Sequence, residues 1–247
     1  MSNSQPVNHF TENVAAQYDQ KFVKLAPMRE VLQLSIRILF ADLPSDAHIL
    51  CVGVGTGLEL VDLATEYSGF HFTAVEPSAP MLDICRQRVQ ELGIEGRCTF
   101  HEGYIDSLPE GAPFDAATCL LVSHFITDLE ERHRFFSDIA SRLRPEAYFV
   151  NADLVADLEK PEGQALVDLW MQVQAYSQDE LGMQRQETEN RRANFLKFVA
   201  VLSPQRVEEM LRFSGFEFPL QIVQTMLIHA WFSRCSANVA KAEIGVN

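Results

Sequence analysis

The chain is short of positive charge. Its 247 residues carry 20 Lys and Arg against 34 Asp and Glu, a formal net charge of −14. Phosphate backbones are gripped by Lys and Arg, so this balance argues against a broad nucleic-acid-binding face and fits ordinary acidic solubility. No apolar run approaches the roughly 20 residues that span a bilayer. The first residues, Met1-Ser2-Asn3-Ser4-Gln5-Pro6, are polar and hold no apolar signal core. Five cysteines, at 51, 85, 98, 119 and 235, stand singly without a C-x-x-C spacing. Several lie in apolar runs, the pattern of buried thiols in a reduced, cytoplasmic protein. Also missing are a G-x-S-x-G elbow, a P-loop, an H-E-x-x-H pair and any cluster at metal-ligand spacing. No metal is expected, and no internal repeat or low-complexity stretch is present.

What is there is a full core's worth of apolar residues, 47% of the chain, enough for one large domain or two small ones. Its centre is His48-Ile49-Leu50-Cys51-Val52-Gly53-Val54-Gly55-Thr56-Gly57. A short apolar run ends in three glycines at alternate positions, and a helical pattern follows. This reads as a buried parallel strand, a tight turn and a crossover helix. Such a turn admits a ligand against bare backbone and presents free N–H groups and a positive dipole end. His71 to Glu76 reads as a second strand ending in a carboxylate, about 20 residues beyond the last glycine, the offset at which an acid meets a ribose diol. The spacing is G-x-G-x-G, and Leu58 stands where the dinucleotide fingerprint has its third glycine. A nucleoside site is implied, and a nicotinamide dinucleotide fits it poorly.

The rest of the chain alternates. Helices are expected over Phe10–Phe22 (Thr11 as N-cap), Pro27–Asp42 (Val31, Leu34, Ile38 and Leu39 as the buried face), Thr56–Tyr67, Ser78–Leu92 and Leu129–Leu143, the last ended by Pro145. Strands are expected over Arg97–His101, Phe114–Leu121 and Tyr148–Leu154. Repeated β-α units imply a doubly wound α/β fold with a mostly parallel sheet. Residues 159–202 break the alternation with consecutive helices. A helix capped by Ser203-Pro204 follows, then strand runs over Phe218–Val223 and Met226–Phe232.

Ile49 to Gly57, followed by Val75-Glu76-Pro77-Ser78-Ala79-Pro80-Met81-Leu82, resembles the first two motifs of the class I S-adenosylmethionine-dependent methyltransferases. The resemblance implies a seven-stranded Rossmann-like sheet and S-adenosylmethionine as cofactor. It also implies a single domain: N-terminal helices over 1–45, a cofactor-binding core over 46–155, a helical lid over 156–202, and a last helix with C-terminal strands over 203–235. On this resemblance Gly53, Val54, Gly55 and Gly57 hold the methionine part, and Glu76, with Pro77 and Met81, the ribose side. Such turns usually carry an acid two residues before the first glycine, and here that residue is Cys51. The segment after Phe10, Val14-Ala15-x-x-Tyr18-Asp19, resembles the family's N-terminal helix, whose tyrosine covers the cofactor. Tyr18 either does this, its ring facing the sulfonium, or simply packs the helix.

After the third strand, Gly103-Tyr104-Ile105-Asp106 stands where the family usually reads G-D. Tyr104 packs on the adenine, Asp106 reaches it, or the Ile105 N–H reads it; alternatively Tyr104 is a plain loop residue. Leu120 and Leu121 end the fourth strand on the cofactor side. His124 is the best-placed titratable group there, either a base for a substrate O–H or N–H or a loop-orienting residue. Beyond 159 the pattern is similar to the carboxy-S-adenosylmethionine synthase branch of tRNA wobble-uridine modification, through Trp170, Tyr176-Ser177-x-x-Glu180 and Arg191-Arg192. An arginine there suits an added carboxylate, with a solvated helix face as the plain alternative. Tyr176 and Arg192 are thus candidate substrate residues. The expected activity is methyl transfer to a small molecule. The alternatives are a synthase of that branch or a catalytically silent S-adenosylmethionine-binding module. Leu166, Leu169, Trp170 and Val173 are available to pack a homodimer.

Overall fold

A computed structural model describes residues 12–178 and 185–237. The expected Thr11 cap and Glu180 lie outside these residues. Two helices, α1 (Glu12–Lys21) and α2 (Ala26–Phe40), lead into β1 (His48–Val52). Then come α3 (Leu58–Glu66), β2 (His71–Glu76), α4 (Ala79–Glu91), β3 (Cys98–Glu102), β4 (Phe114–Leu120), α5 (Leu129–Ser141) and β5 (Leu143–Leu154). Helices α6 (Pro161–Ser177), α7 (Arg185–Phe198) and α8 (Pro204–Phe213) precede β6 (Phe216–Thr225) and β7 (Ile228–Cys235).

The seven strands form one sheet in the order β3-β2-β1-β4-β5-β7-β6. Pairing is parallel from β3 to β5, while β7 runs antiparallel to both β5 and β6. The order reverses between β1 and β4, and such a switch point opens a crevice at the strands' carboxyl ends.

The apolar run of β1 has its cause in two-sided burial. Ile49 and Cys51 join the core beneath α2, α3 and α4, and Leu50 and Val52 the core beneath α5 and α8. Four buried residues in a row, Ile49 to Val52, therefore need no polar alternation. A third cluster, with Val167, Trp170, Met171 and Val199, lies under α6 and α7. Where that excursion leaves and rejoins the body, Val155 pairs with Leu202 and the Ala156 N–H donates to Leu202 O at 3.0 Å.

Caps decide several helix starts. The Ser78 hydroxyl accepts from the Met81 N–H, Asp128 from the Glu131 N–H and Ser203 from the Arg206 N–H, each satisfying an orphan donor of a first turn.

Three expectations are corrected. Helix α2 buries Leu32, Ile36 and Phe40, while Val31, Leu34 and Ile38 are exposed. The helix carries two apolar stripes, and the one with the aromatic at i+8 met the sheet. Pro145 does not terminate α5, which has ended by Ser141. It lies inside β5, where Phe114 pairs with Leu143 but Ala116 with Tyr148, and a bulge is where a strand tolerates a missing donor. Met226 does not begin the last strand. Thr225 pairs with Ile228, so Met226-Leu227 is the two-residue turn, with Met226 at φ +52°.

Candidate functional site

The crevice at the switch point is a cavity of about 1040 Å³. One end is built by the glycine turn. The Gly53 and Val54 N–H groups donate to Val75 O at 2.8 and 3.1 Å, hanging the turn on the end of β2. Gly53 lies at φ +66°, and a Cβ there would come within 2.5 Å of Val122. Gly57, at φ +83°, would drive a Cβ into the Cys85 sulfur. Both positions therefore require glycine for conformation and for space. Glu76 accepts from the Gly55 N–H at 3.0 Å and from the Ser78 N–H at 2.9 Å. Burial pushes its carboxyl pKa up, and those two amides pull it down. The outcome is a carboxylate fixed by backbone at the cavity wall, with lone pairs to spare for hydroxyl donors.

Tyr18 stands over this end because α1 is clamped to the turn. Asp19 accepts from the Thr56 hydroxyl at 2.9 Å and pairs with Arg88 of α4, while Arg88 donates to Thr56 O at 2.9 Å. Burial, then Asp19, Glu76 and Glu59, pushes the Tyr18 pKa up to about 12, so the ring presents a neutral phenol. Asp19 was quoted in the sequence pattern without a role. Its partners lie 37 and 69 residues away, and nothing local announces them.

The other end holds a buried polar cluster. Leu121, at φ +60°, turns the chain sharply out of β4 and places Ser123 and His124 against β5. Asp153 is fully buried there. Its Oδ1 accepts from the His124 backbone N–H at 3.0 Å and pairs with His124 Nδ1 at 2.9 Å. Its Oδ2 accepts from Arg132 Nη2 at 2.8 Å, from Asn151 Nδ2 at 3.1 Å and from the Ser123 hydroxyl. Burial alone would raise the Asp153 pKa, but Arg132, His124 and Ser123 hold it well below the usual carboxylate range. An ionised Asp153 fixes the His124 proton on Nδ1 and leaves Nε2 as the ring acceptor, with the imidazole at the cavity wall. The pairing of Asp153 with Arg132 was not read from the sequence, because Arg132 is one of several charges in α5 and β5 carries other polar residues besides Asp153.

Of the sequence candidates, Tyr18, Gly53, Val54, Gly55, Glu76, Pro77, Met81, Gly103, Tyr104, Ile105, Leu120, Leu121 and His124 all border the cavity, as does Asp106. Gly57 does not border it and acts behind the wall. Tyr176 is also outside, 49% exposed, with Lys24 Nζ 5.3 Å from its ring centroid. Arg192 is turned onto α6, where Asp168 lies 3.0 Å from its Nε and Gln164 accepts from its Nη2. Its neighbour Arg191 borders the cavity instead, because adjacent residues on a helix point about 100° apart. Of the dimer candidates, Trp170 is buried, Leu166 and Val173 are half-buried, and Leu169 is exposed.

A nucleoside cofactor fits what is present. The Gly53 position admits no side chain, the Glu76 carboxylate is held by two amides, and the volume exceeds that of one drug-sized ligand. Glu59, in the first turn of α3, borders the same space. Among the described residues no group of three or more His, Cys, Asp or Glu could hold a metal, and no helix is long and apolar enough to cross a membrane.

Residues 49–146 match the family model described as a methyltransferase domain. An O-methyltransferase of Pyrenophora dematioidea is 30% identical over 148 residues, 59% of this chain and 52% of that relative. The chain thus spans about half the length of that relative. A carboxy-S-adenosyl-L-methionine synthase of Campylobacter jejuni is 21% identical over 221 residues, 84% of this chain and 91% of that protein. Among solved structures, human N-acetylserotonin methyltransferase in complex with SAM superposes with a TM-score of 0.64 at 15% identity, over 96% of this chain and 60% of the other. That likeness is one of fold.

Proposed function

We propose, for a chain that belongs to the class I S-adenosylmethionine-dependent methyltransferases, that it methylates a hydroxyl of a small, largely apolar molecule in the cytoplasm. One observation carries the reading. A single cavity joins the glycine turn and Glu76 at one end to a His124–Asp153 pair and an apolar wall of Phe125, Trp170, Phe195 and Phe198 at the other. Gly53, Gly55, Glu76 and Tyr18 would hold S-adenosylmethionine, with Tyr104, Ile105 or Asp106 at the base. Bound there, the cofactor supplies an electrophilic methyl on a sulfonium.

The chain's own residues have two tasks. The apolar wall aligns the acceptor and excludes water, which accounts for most of the acceleration such a transfer needs. His124 Nε2 takes the hydroxyl proton as the oxygen attacks. Asp153, already ionised, offsets the charge of the imidazolium and holds its ring, while Arg132 holds Asp153.

The test is steady-state methyl transfer to a panel of apolar alcohols and phenols, followed as S-adenosylhomocysteine formed. His124→Gln should lower kcat about 10²- to 10⁴-fold and leave cofactor affinity unchanged. An unchanged kcat would remove the base from the reading.

A second reading, a carboxy-S-adenosylmethionine synthase-like enzyme, is favoured by one specific observation: Arg191 and Arg134 border the cavity and suit a carboxylate. In either reading α6 serves the cavity, and Leu169 is the residue through which a second copy would pack.

A further inference from the structure

We propose that Glu59 is the cofactor's ammonium anchor, a carboxylate built into the first turn of α3 to pair with the amino group of the methionine moiety. This rests on the S-adenosylmethionine reading given above.

Glu59 borders the cavity beside the glycine turn. Its Oε1 is buried and meets no hydrogen-bond donor among the described residues. A buried acceptor on an ionisable group is left unsatisfied in few places, and binding sites are prominent among them. The groups that face it are Glu76 at the end of β2, Tyr18 of α1, Cys51 of β1, Cys85 of α4 and Cys119 of β4. All are acids or neutral. Arg29 of α2 borders the same cavity and its charge acts on Tyr18, yet among the described residues no cation is paired with Glu59. Burial, with Glu76 adding to it, pushes the Glu59 pKa up to about 8, against the pull of its own backbone N–H.

A carboxylate in that setting lacks a positive partner, and the ligand that the glycine turn and Glu76 fit carries one. Its amino-acid end has an ammonium separated from the ribose by the length of the methionine chain. Cys51, the last-but-one residue of β1, is fully buried, interacts with the Thr118 hydroxyl and does not reach the cavity. The strand therefore offers the ammonium nothing, and α3 supplies the charge from the opposite side of the turn.

The proposal makes Glu59 proton-linked. Near pH 7 it is mostly protonated in the free protein and ionised once the ammonium sits against it, so binding should release close to one proton per ligand.

Calorimetry tests this with three ligands on the wild-type chain and on Glu59→Gln. S-adenosylhomocysteine and its decarboxylated analogue keep the ammonium; 5′-deoxy-5′-methylthioadenosine lacks it. We expect the variant to bind the first two about 10- to 100-fold more weakly and the third unchanged, which also shows that the variant is folded. Repeating the wild-type titration in buffers of different ionisation enthalpy should show the proton release, and the variant should not. Equal affinity of both proteins for S-adenosylhomocysteine would overturn the anchor, as would an equal loss on all three ligands. A wild-type chain that binds none of the three would instead overturn the cofactor reading, and the anchor with it.

Discussion

At the residue scale the site depends on charges that have no neighbours in sequence. Asp153 is the clearest. It sits fully buried between Arg132, His124, Ser123 and Asn151, and each partner removes part of the penalty for holding a charge there. Arg132→Ala would leave that carboxylate without its cation. The expected loss is about 3–5 kcal/mol, measured by urea unfolding at pH 7. The sign of the pH effect follows from the depressed pKa in the folded state. The stabilisation is full above the unfolded carboxyl's pKa, near 4, shrinks below it, and is lost only as pH falls through the still lower folded-state pKa. The gap between wild type and Arg132→Ala should therefore narrow progressively in acid; a gap of the same size at pH 3 and pH 7 would contradict the assignment. Legibility at this scale divided along the chain. Gly53, Gly55 and Glu76 could be read because turn chemistry and a fixed offset act locally. Asp153, Arg132, Asp19 and Glu59 could not, because their meaning comes from partners dozens of residues away or from a ligand. For Arg191 and Arg192 the residue type was readable, but which of the two faces the cavity depends on the rotation of α7, which a polar helix does not reveal.

At the scale of elements the sequence was a good guide to what exists and a weaker one to how it faces. Every strand from β1 to β5 was expected close to where it lies, since runs buried on both sides leave a strong signal. The N-cap at Ser78 and the Ser203-Pro204 start were also readable, because capping is a local hydrogen bond. The buried face of α2 was not, since two stripes compete and only the sheet chooses between them. Pro145 misled for a physical reason. A missing N–H ends a helix, but it is equally at home in a bulge, and the neighbouring Glu146 at φ +66° marks one. The β6–β7 turn gives a test at this scale. Met226 holds a left-handed backbone that costs a side-chain-bearing residue about 1–2 kcal/mol, while glycine loses about 0.5–1 kcal/mol more chain entropy on folding. Met226→Gly should thus raise stability by about 0.5 kcal/mol in thermal or urea unfolding. A destabilised variant would mean that the Met226 side chain, 39% exposed, contributes packing that outweighs the strain.

At the scale of the molecule, one sheet reversal creates the crevice, and the α6–α7 excursion closes it into a cavity. The mostly parallel, doubly wound plan was readable from alternation alone, and the last two strands were readable as separate runs. The cavity's far wall was not, because Trp170, Phe195 and Phe198 acquire a common surface only when α6 and α7 pack over the strand ends. The proposed division of labour is simple: the turn and Glu76 would face a nucleoside, and His124 and the aromatic wall a second molecule. The most direct measurement of this account is a competition. The purified chain is incubated with equal amounts of S-adenosylmethionine and a nicotinamide dinucleotide, passed through a desalting column and denatured, and the retained small molecule is weighed by mass spectrometry. The account predicts S-adenosylmethionine or its demethylated product. A retained nicotinamide dinucleotide, or no retained nucleoside at all, would contradict it.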